Sequence, residues 1–389
     1  MRREQRFPLG ASITVGELED DPHPAQAALR ESEPVSWIPA LDCWLVTRHE
    51  LVLSVIRDAA TFTVDDPRFS TGRVVGPSML SLDGDAHSSH RAPFAPPFRP
   101  LAVRDRFAEL VAQETERLID ALAPAGAAEL RRSLAGPLAA YAMTRALGLE
   151  PDEVPAVLAW YDAIVGAVTE ITAGAAVPAT GAEAFAALRE RLIEVIHSAD
   201  HSSLLATVAG DGTLSDEQIV SNAAVLLFGG IETTEGMVAN AVLALLERPE
   251  ELARARTDRK LLETAIEESL RLEPAAAVVD RYATEDVELA GASIARGELV
   301  RASIAGANRD PAVFADPDRF DLDRENAGRH LAFAHGPHVC VGVHLARLEA
   351  RTALSMLLAR LPNLRLDPER PSRTRGLVFR KPPALHVIW

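Results

Sequence analysis

The chain has 389 residues, nearly half of them apolar, and a formal net charge of −16 at pH 7. A core is therefore easily supplied, whereas the acidic balance argues against nucleic acid as a partner and against a polybasic membrane anchor, both of which need a basic footprint. Two cysteines, Cys43 and Cys340, cannot build a disulfide framework or a four-cysteine zinc site.

The first twenty residues carry no apolar stretch of signal-peptide length, which predicts a cytoplasmic protein. Residues 33–46 read as short strands around turns, Cys43–Val46 being the clearest. The pattern turns helical and Ala-rich over 105–149, and two further helices are predicted at 151–169 and 182–196. The stretch between them, 172–181, is rich in Ala, Gly, Pro and Thr and reads as a loop. Residues 215–246 give the most informative helix. Ser215 and Gln218 form a capping box, Leu214 can staple onto Ile219, and Pro249 follows the end. This helix is nearly long and apolar enough to cross a bilayer, but Asn222, Glu232, Glu235 and Asn240 would be costly in hydrocarbon. A helix apolar on most sides is expected to run through the centre of a core. Residues 261–272 form a further helix, and 282–303 read as a small sheet with a turn at Ala290-Gly291. An irregular segment follows over 309–329. A last helix spans 343–361, with Ala346, Ala350, Leu354, Leu357, Leu358 and Leu361 on one face.

Cys340 sits in a glycine-bounded loop just before that last helix. A helix start carries free N–H groups and partial positive charge, which favour thiolate over thiol. Gly336 and Gly342 would let a flat cofactor approach the backbone. Taken alone, the residue could equally be a buried structural cysteine. It could also join His335, His338 and His344 in a zinc site, although that spacing matches no common zinc module.

The segment Phe333-x-x-Gly336-x-His338-x-Cys340-x-Gly342 resembles the haem-binding signature of the cytochrome P-450 family. Other motifs resemble the family in its own order. They are His87-x-x-x-Arg91, Gly229-Gly230-Ile231-Glu232-Thr233, Glu268-x-x-Arg271, Arg281, and Pro317-Asp318-Arg319-Phe320. The resemblance implies a mainly α fold with a small β portion, as one domain over 1–389. It implies haem b with Cys340 as the axial thiolate. Phe333 would lie near the sulfur, and His87, Arg91, Arg281 and His338 at the propionates. Gly229 would border the oxygen site, and Glu232 and Thr233 would deliver protons to bound oxygen. Glu268 and Arg271 would join Arg319 in a structural ion network. A substrate pocket is implied at Phe69, Met79, Val225, Phe228, Ala277, Val279, Leu377 and Val378, mostly apolar and suited to a hydrophobic small molecule.

The activity so implied is O2-dependent monooxygenation in secondary metabolism, with electrons from a ferredoxin and its reductase. Arg99, Arg104, Arg329 and Arg347 are expected to form the basic patch that docks the donor. A peroxide-driven haem enzyme and a non-catalytic haem or zinc protein are the alternatives. The intact Glu232-Thr233 pair speaks against both.

Overall fold

The computed structural model describes residues 3–172, 178–198 and 203–389. Its principal helices in chain order are α1 (His49–Arg57), α2 (Ser70–Val75), α3 (Gly84–Arg91), α4 (Pro100–Leu122) and α5 (Gly136–Leu147). They continue with α6 (Val154–Thr172), α7 (Ala179–Ile196), α8 (Asp216–Leu246), α9 (Arg259–Leu272) and α10 (Val343–Arg360). Short helices before residue 33, such as His23–Ser32, carry too little periodicity to stand out in the sequence. The loop expected at 172–181 lies largely outside the described residues, and α7 already begins at Ala179.

Ten strands complete the fold: β1 (Val35–Ile38), β2 (Cys43–Val46), β3 (Phe62–Thr63), β4 (Ala127–Glu129), β5 (Val278–Ala283), β6 (Val287–Leu289), β7 (Ala292–Ile294), β8 (Leu299–Ser303), β9 (Arg365–Leu366) and β10 (His386–Ile388). The main sheet has the order β1-β2-β8-β5-β3, with β2 and β8 parallel and the other pairs antiparallel. The β6–β7 hairpin turns at Ala290 and Gly291, both at positive φ, +48° and +83°, as a two-residue loop of matching twist requires. The strand β4 interrupts the stretch read as continuously helical. It pairs with β10 from the chain end, a partner remote in sequence.

The central helix α8 is buried along nearly its whole length. Ser215 accepts from Gln218 N–H, and Gln218 Oε1 accepts from Ser215 N–H at 2.9 Å, so the expected capping box is present. The polar residues of α8 are paired inside the protein. Asn240 Nδ2 donates to the Glu273 and Arg380 carbonyls, both at 2.9 Å. Asn222 Oδ1 accepts from Met79 N–H at 2.7 Å. The stretch 151–171, most of it in α6, is apolar enough by length and composition to cross a membrane. Here α6 packs against α2, α5, α7 and α8.

The ion network differs from expectation in one member. Glu268 and Arg271, both with fully buried side chains, pair at 2.7 Å. The second arginine is Arg324, whose Nε donates to Glu268 Oε1 at 2.8 Å. Arg319 is exposed and contributes only its carbonyl, which accepts from Arg271 Nη2 at 2.9 Å. Arg271 also donates to the carbonyls of Asn308 and Pro317. Arg324 lies five positions after Arg319, and motif spacing could not say which side chain turns inward.

Candidate active site

The loop that carries Cys340 is clamped from several elements. Cys340 N–H donates to Phe333 O at 2.9 Å, and Leu331 N–H donates to Asn308 Oδ1 at 2.7 Å. From α3, Arg91 Nη2 donates to Val339 O at 2.6 Å. From α1, the Arg57 guanidinium lies along His335, with Nε donating to Nδ1 at 3.2 Å. Gly336 has φ +75°, and a Cβ there would stand 3.0 Å from Arg57 Cα. Glycine at this position is thus demanded by the backbone and by α1. Ala334 also has a positive φ, +55°, an uncommon conformation that persists where the surroundings over-determine it. The Phe333 ring lies beneath the Arg347 guanidinium at 4.7 Å.

The electrostatics correct one expectation. Burial pushes the Cys340 thiol up, and the Gly342 N–H with the charges of Arg91 and Arg347 pulls the other way without prevailing. The helix start alone does not make a thiolate here. A sulfur-bound cation would, because coordination displaces the thiol proton outright. Zinc is not that cation on the predicted ligands. His335 is taken by Arg57, His338 by Asp83, and His344 is exposed. Among the described residues no three His, Cys, Asp or Glu side chains converge on a metal position.

Two of the four expected propionate contacts are open. His87 is 5% exposed, and its Nε2 has no partner among the described residues. Burial first, then the charges of His338 and Arg91, lowers it to about 4. Arg281, on β5, is 4% exposed and makes one hydrogen bond, from Nη1 to the Asp280 carbonyl at 2.8 Å. Burial holds its guanidinium below the usual arginine range. The carboxylate of Asp280 is committed elsewhere, accepting from Arg301 at 2.7 and 3.0 Å. A buried guanidinium and an orphaned imidazole nitrogen are the incomplete half of an anion site. They fit the carboxylates of a haem. The other two contacts are engaged within the protein: Arg91 braces the loop, and His338 Nε2 bonds Asp83 Oδ1 at 2.8 Å. The His338 ring stacks on His87 at 4.4 Å. Burial acts to raise Asp83, but bonds from His338, Thr63 and Val64 N–H outweigh it and hold the carboxyl at about 2.

On α8 the half-exposed positions Gly229, Gly230 and Thr233 open a window in an otherwise buried stretch. The two glycines serve different ends. A Cβ on Gly230 would stand 2.4 Å from Met143 Sδ on α5, so that glycine is required for helix packing. A Cβ on Gly229 would meet nothing within 4 Å, so that residue faces open space. Thr233 Oγ1 donates to Gly229 O at 2.6 Å, one turn back. Glu232, 3% exposed, accepts from Tyr161 on α6 and pairs with Lys381 Nζ at 2.8 Å.

Of the expected pocket residues, Val225, Phe228 and Met79 are buried, and Phe228 meets Phe379 edge-on at 5.6 Å. Phe69 and Val279 are partly buried. Ala277 N–H donates to Val378 O at 2.8 Å, which ties the chain end to β5. Leu377 packs against Leu18, Leu29, Ile38 and Leu45 and lines a small cavity with Ala277. The expected basic patch is also partly neutralised: Arg347 pairs with Glu267 at 2.6 Å and Arg104 with Asp105 at 2.8 Å. Sequence reasoning missed Phe379, Asp83, Tyr161 and Lys381. Lys381 did carry a signal, as one of two lysines in the chain. Tyr161 carried none.

The site thus combines a mainly α fold, a sulfur-bearing loop, a carboxylate cradle and a window in the central helix. The cytochrome P450 family profile matches residues 191–388. The chain is 37% identical to nocardicin C N-oxygenase from Nocardia uniformis subsp. tsuyamanensis, over 98% of each protein. It is 36% identical to cytochrome P450 monooxygenase PikC from Streptomyces venezuelae, over 89% of this chain and 85% of that one. The solved structure of CxnD, a cytochrome P450 enzyme for C–S bond formation in chuangxinmycin biosynthesis, matches with a TM-score of 0.87 at 28% identity, over 97% of both chains. The chain belongs to the cytochrome P450 family, which implies a haem with cysteine thiolate ligation.

Proposed function

We propose that this chain acts as one cytoplasmic domain that inserts one atom of O2 into a hydrophobic small molecule of secondary metabolism. Electrons come from a ferredoxin-type donor and its reductase, and Cys340 would hold the iron of haem b through its thiolate. The observation that carries the reading is the clamped Cys340 loop beside the buried, under-partnered His87 and Arg281. The names of relatives such as PikC and mycinamicin IV hydroxylase/epoxidase support the substrate class. When bound, the haem supplies oxygen activation, which electron donation from the thiolate promotes.

The chain's own groups do the rest. Arg281 and His87 hold the haem carboxylates. The apolar side chains of Val225, Phe228 and Met79 exclude water from the distal side. Thr233, whose hydroxyl donates to Gly229 O at rest, keeps two lone pairs free and turns about its Cβ–Oγ1 bond to donate into the open space beside Gly229. Glu232 passes protons inward to it. This retained pair favours O2 over peroxide as the oxidant. Val339, next to Cys340, is 40% exposed, and the Arg57 guanidinium lies along His335 of the same loop, a surface that suits an acidic donor.

Two variants test the reading. Cys340→Ala should abolish the red-shifted Soret band of the reduced, CO-bound protein, and Cys43→Ala should leave it intact. Thr233→Ala should keep haem and ligand binding but release peroxide in place of product. Thiolate-type spectra in Cys340→Ala, or undiminished product per oxygen consumed in Thr233→Ala, would each refute its part.

A further inference from the structure

We infer that Lys381 and Glu235 are a positioning pair that governs when the Glu232 carboxylate is free to serve the distal site. The inference rests on the reading of Glu232 as a proton carrier. The chain meets almost every need for a cation with arginine, and lysine occurs only at Lys260 and Lys381. A compact ammonium offers three rotatable N–H donors, where arginine offers a planar fork. Lys381 Nζ meets three oxygens: Glu232 Oε1 at 2.8 Å, the Tyr161 hydroxyl at 3.3 Å, and Glu235 Oε2 in short contact. The Tyr161 hydroxyl in turn donates to Glu232 Oε2. Arg131 Nε donates to the other oxygen of Glu235 at 3.1 Å.

The side chains of Glu235 and Glu232 are 0% and 3% exposed, and that of Lys381 is 13% exposed. Two carboxylates face two cations, so the cluster is neutral, with Arg132 and Asp162 outside it near Tyr161. The backbone that carries the ammonium is held on both sides. Lys381 N–H donates to Arg375 O at 3.1 Å, and the adjacent Arg380 N–H donates to Ala275 O at 2.9 Å.

A lone Glu232–Lys381 pair would be a lock, because withdrawing the carboxylate would leave a buried ammonium unpaired, which is strongly unfavourable. Glu235 removes that penalty. Lys381 stays paired when Glu232 turns away, and Glu232 finds the same place on its return. Tyr161 makes release depend on α6, so three elements bear on one carboxylate: α6, α8 and the chain end.

The test uses haem-loaded protein with a redox donor and a ligand that shifts the haem spin state. Lys381→Met and Glu235→Gln should both retain the CO-bound spectrum and the ligand-induced spin shift. In Lys381→Met the carboxylate loses its seat, and product per oxygen consumed should fall about 10- to 100-fold, the scale of a misplaced reacting group. An infrared band of a protonated carboxyl should appear in the resting protein and vanish when Glu232→Gln is added. Glu235→Gln should act differently. The whole attraction of Lys381 then falls on Glu232, so turnover slows and its solvent isotope effect rises. Should Lys381→Met fail to take up haem, Glu235→Gln carries the test alone. Wild-type product yield and isotope effect in these variants overturn the inference. If Glu232→Gln alone still changes the isotope effect, the proton-carrier reading survives. If it too is silent, both readings fall.

Discussion

Replacing Arg281 by methionine should move two measured stabilities in opposite directions. The Arg281 side chain is 4% exposed with one hydrogen bond within the protein, to a carbonyl, and no carboxylate of its own. Exchange of a poorly compensated buried charge for an apolar group of similar length stabilises by about 1–2 kcal/mol, which raises the apoprotein Tm by a few degrees. In the haem-loaded protein the same guanidinium supplies charge-assisted hydrogen bonds, worth about 1.5–3 kcal/mol. Their loss should speed haem release about 10- to 150-fold. Circular-dichroism melting of apoprotein gives the first number, and haem transfer to an excess of a scavenging apoglobin gives the second. A lower apoprotein Tm with unchanged haem release would refute the argument. Arg281 would then be a strut of the sheet, satisfied by the fields of Asp83 and Asp280.

Two further predictions concern stability. Glu268→Gln leaves Arg271 and Arg324 as buried cations without their carboxylate and should cost about 3–5 kcal/mol in chemical denaturation. Arg319→Ala should be near neutral, since only its carbonyl is used; a large effect there would restore Arg319 to the network. For the apoprotein, His87 is held at about 4 against an ordinary value of 6.5. The unfolded chain therefore binds this proton first on acidification. The stability tied to it is fully present above pH 6.5 and is lost as pH falls from 6.5 to 4, about 3 kcal/mol in all. Melting at stepped pH should show this loss, and His87→Asn should flatten it. A slope unchanged in His87→Asn would place the titration elsewhere.

The long elements were legible because their signals are local. The capping box at Ser215 and Gln218 and the apolar run behind it are enough to mark α8, and Ala290-Gly291 marks its hairpin turn. The short N-terminal helices and β4 were not legible. A strand of three residues has little pattern of its own and exists because β10 pairs with it. Among site residues, the types and spacing at Cys340, His338 and Glu232-Thr233 carried the resemblance to the family. What each side chain does at rest did not follow from them. Motif spacing puts Arg91 and His338 at the haem carboxylates, yet one braces Val339 and the other bonds Asp83.

The sequence by itself determined the family and the course of the central helix, because each depends on residues close together along the chain. Tertiary structure decided the rest. It chose Arg324 over Arg319 for the buried network, and assigned Gly230 to Met143 and Gly229 to open space. It also brought Tyr161, Glu232, Glu235 and Lys381 together from segments as far as 220 residues apart. The physical reason is common to all of these. A buried polar group must find its partner wherever the packed chain places one, and that partner's distance along the sequence carries no signal.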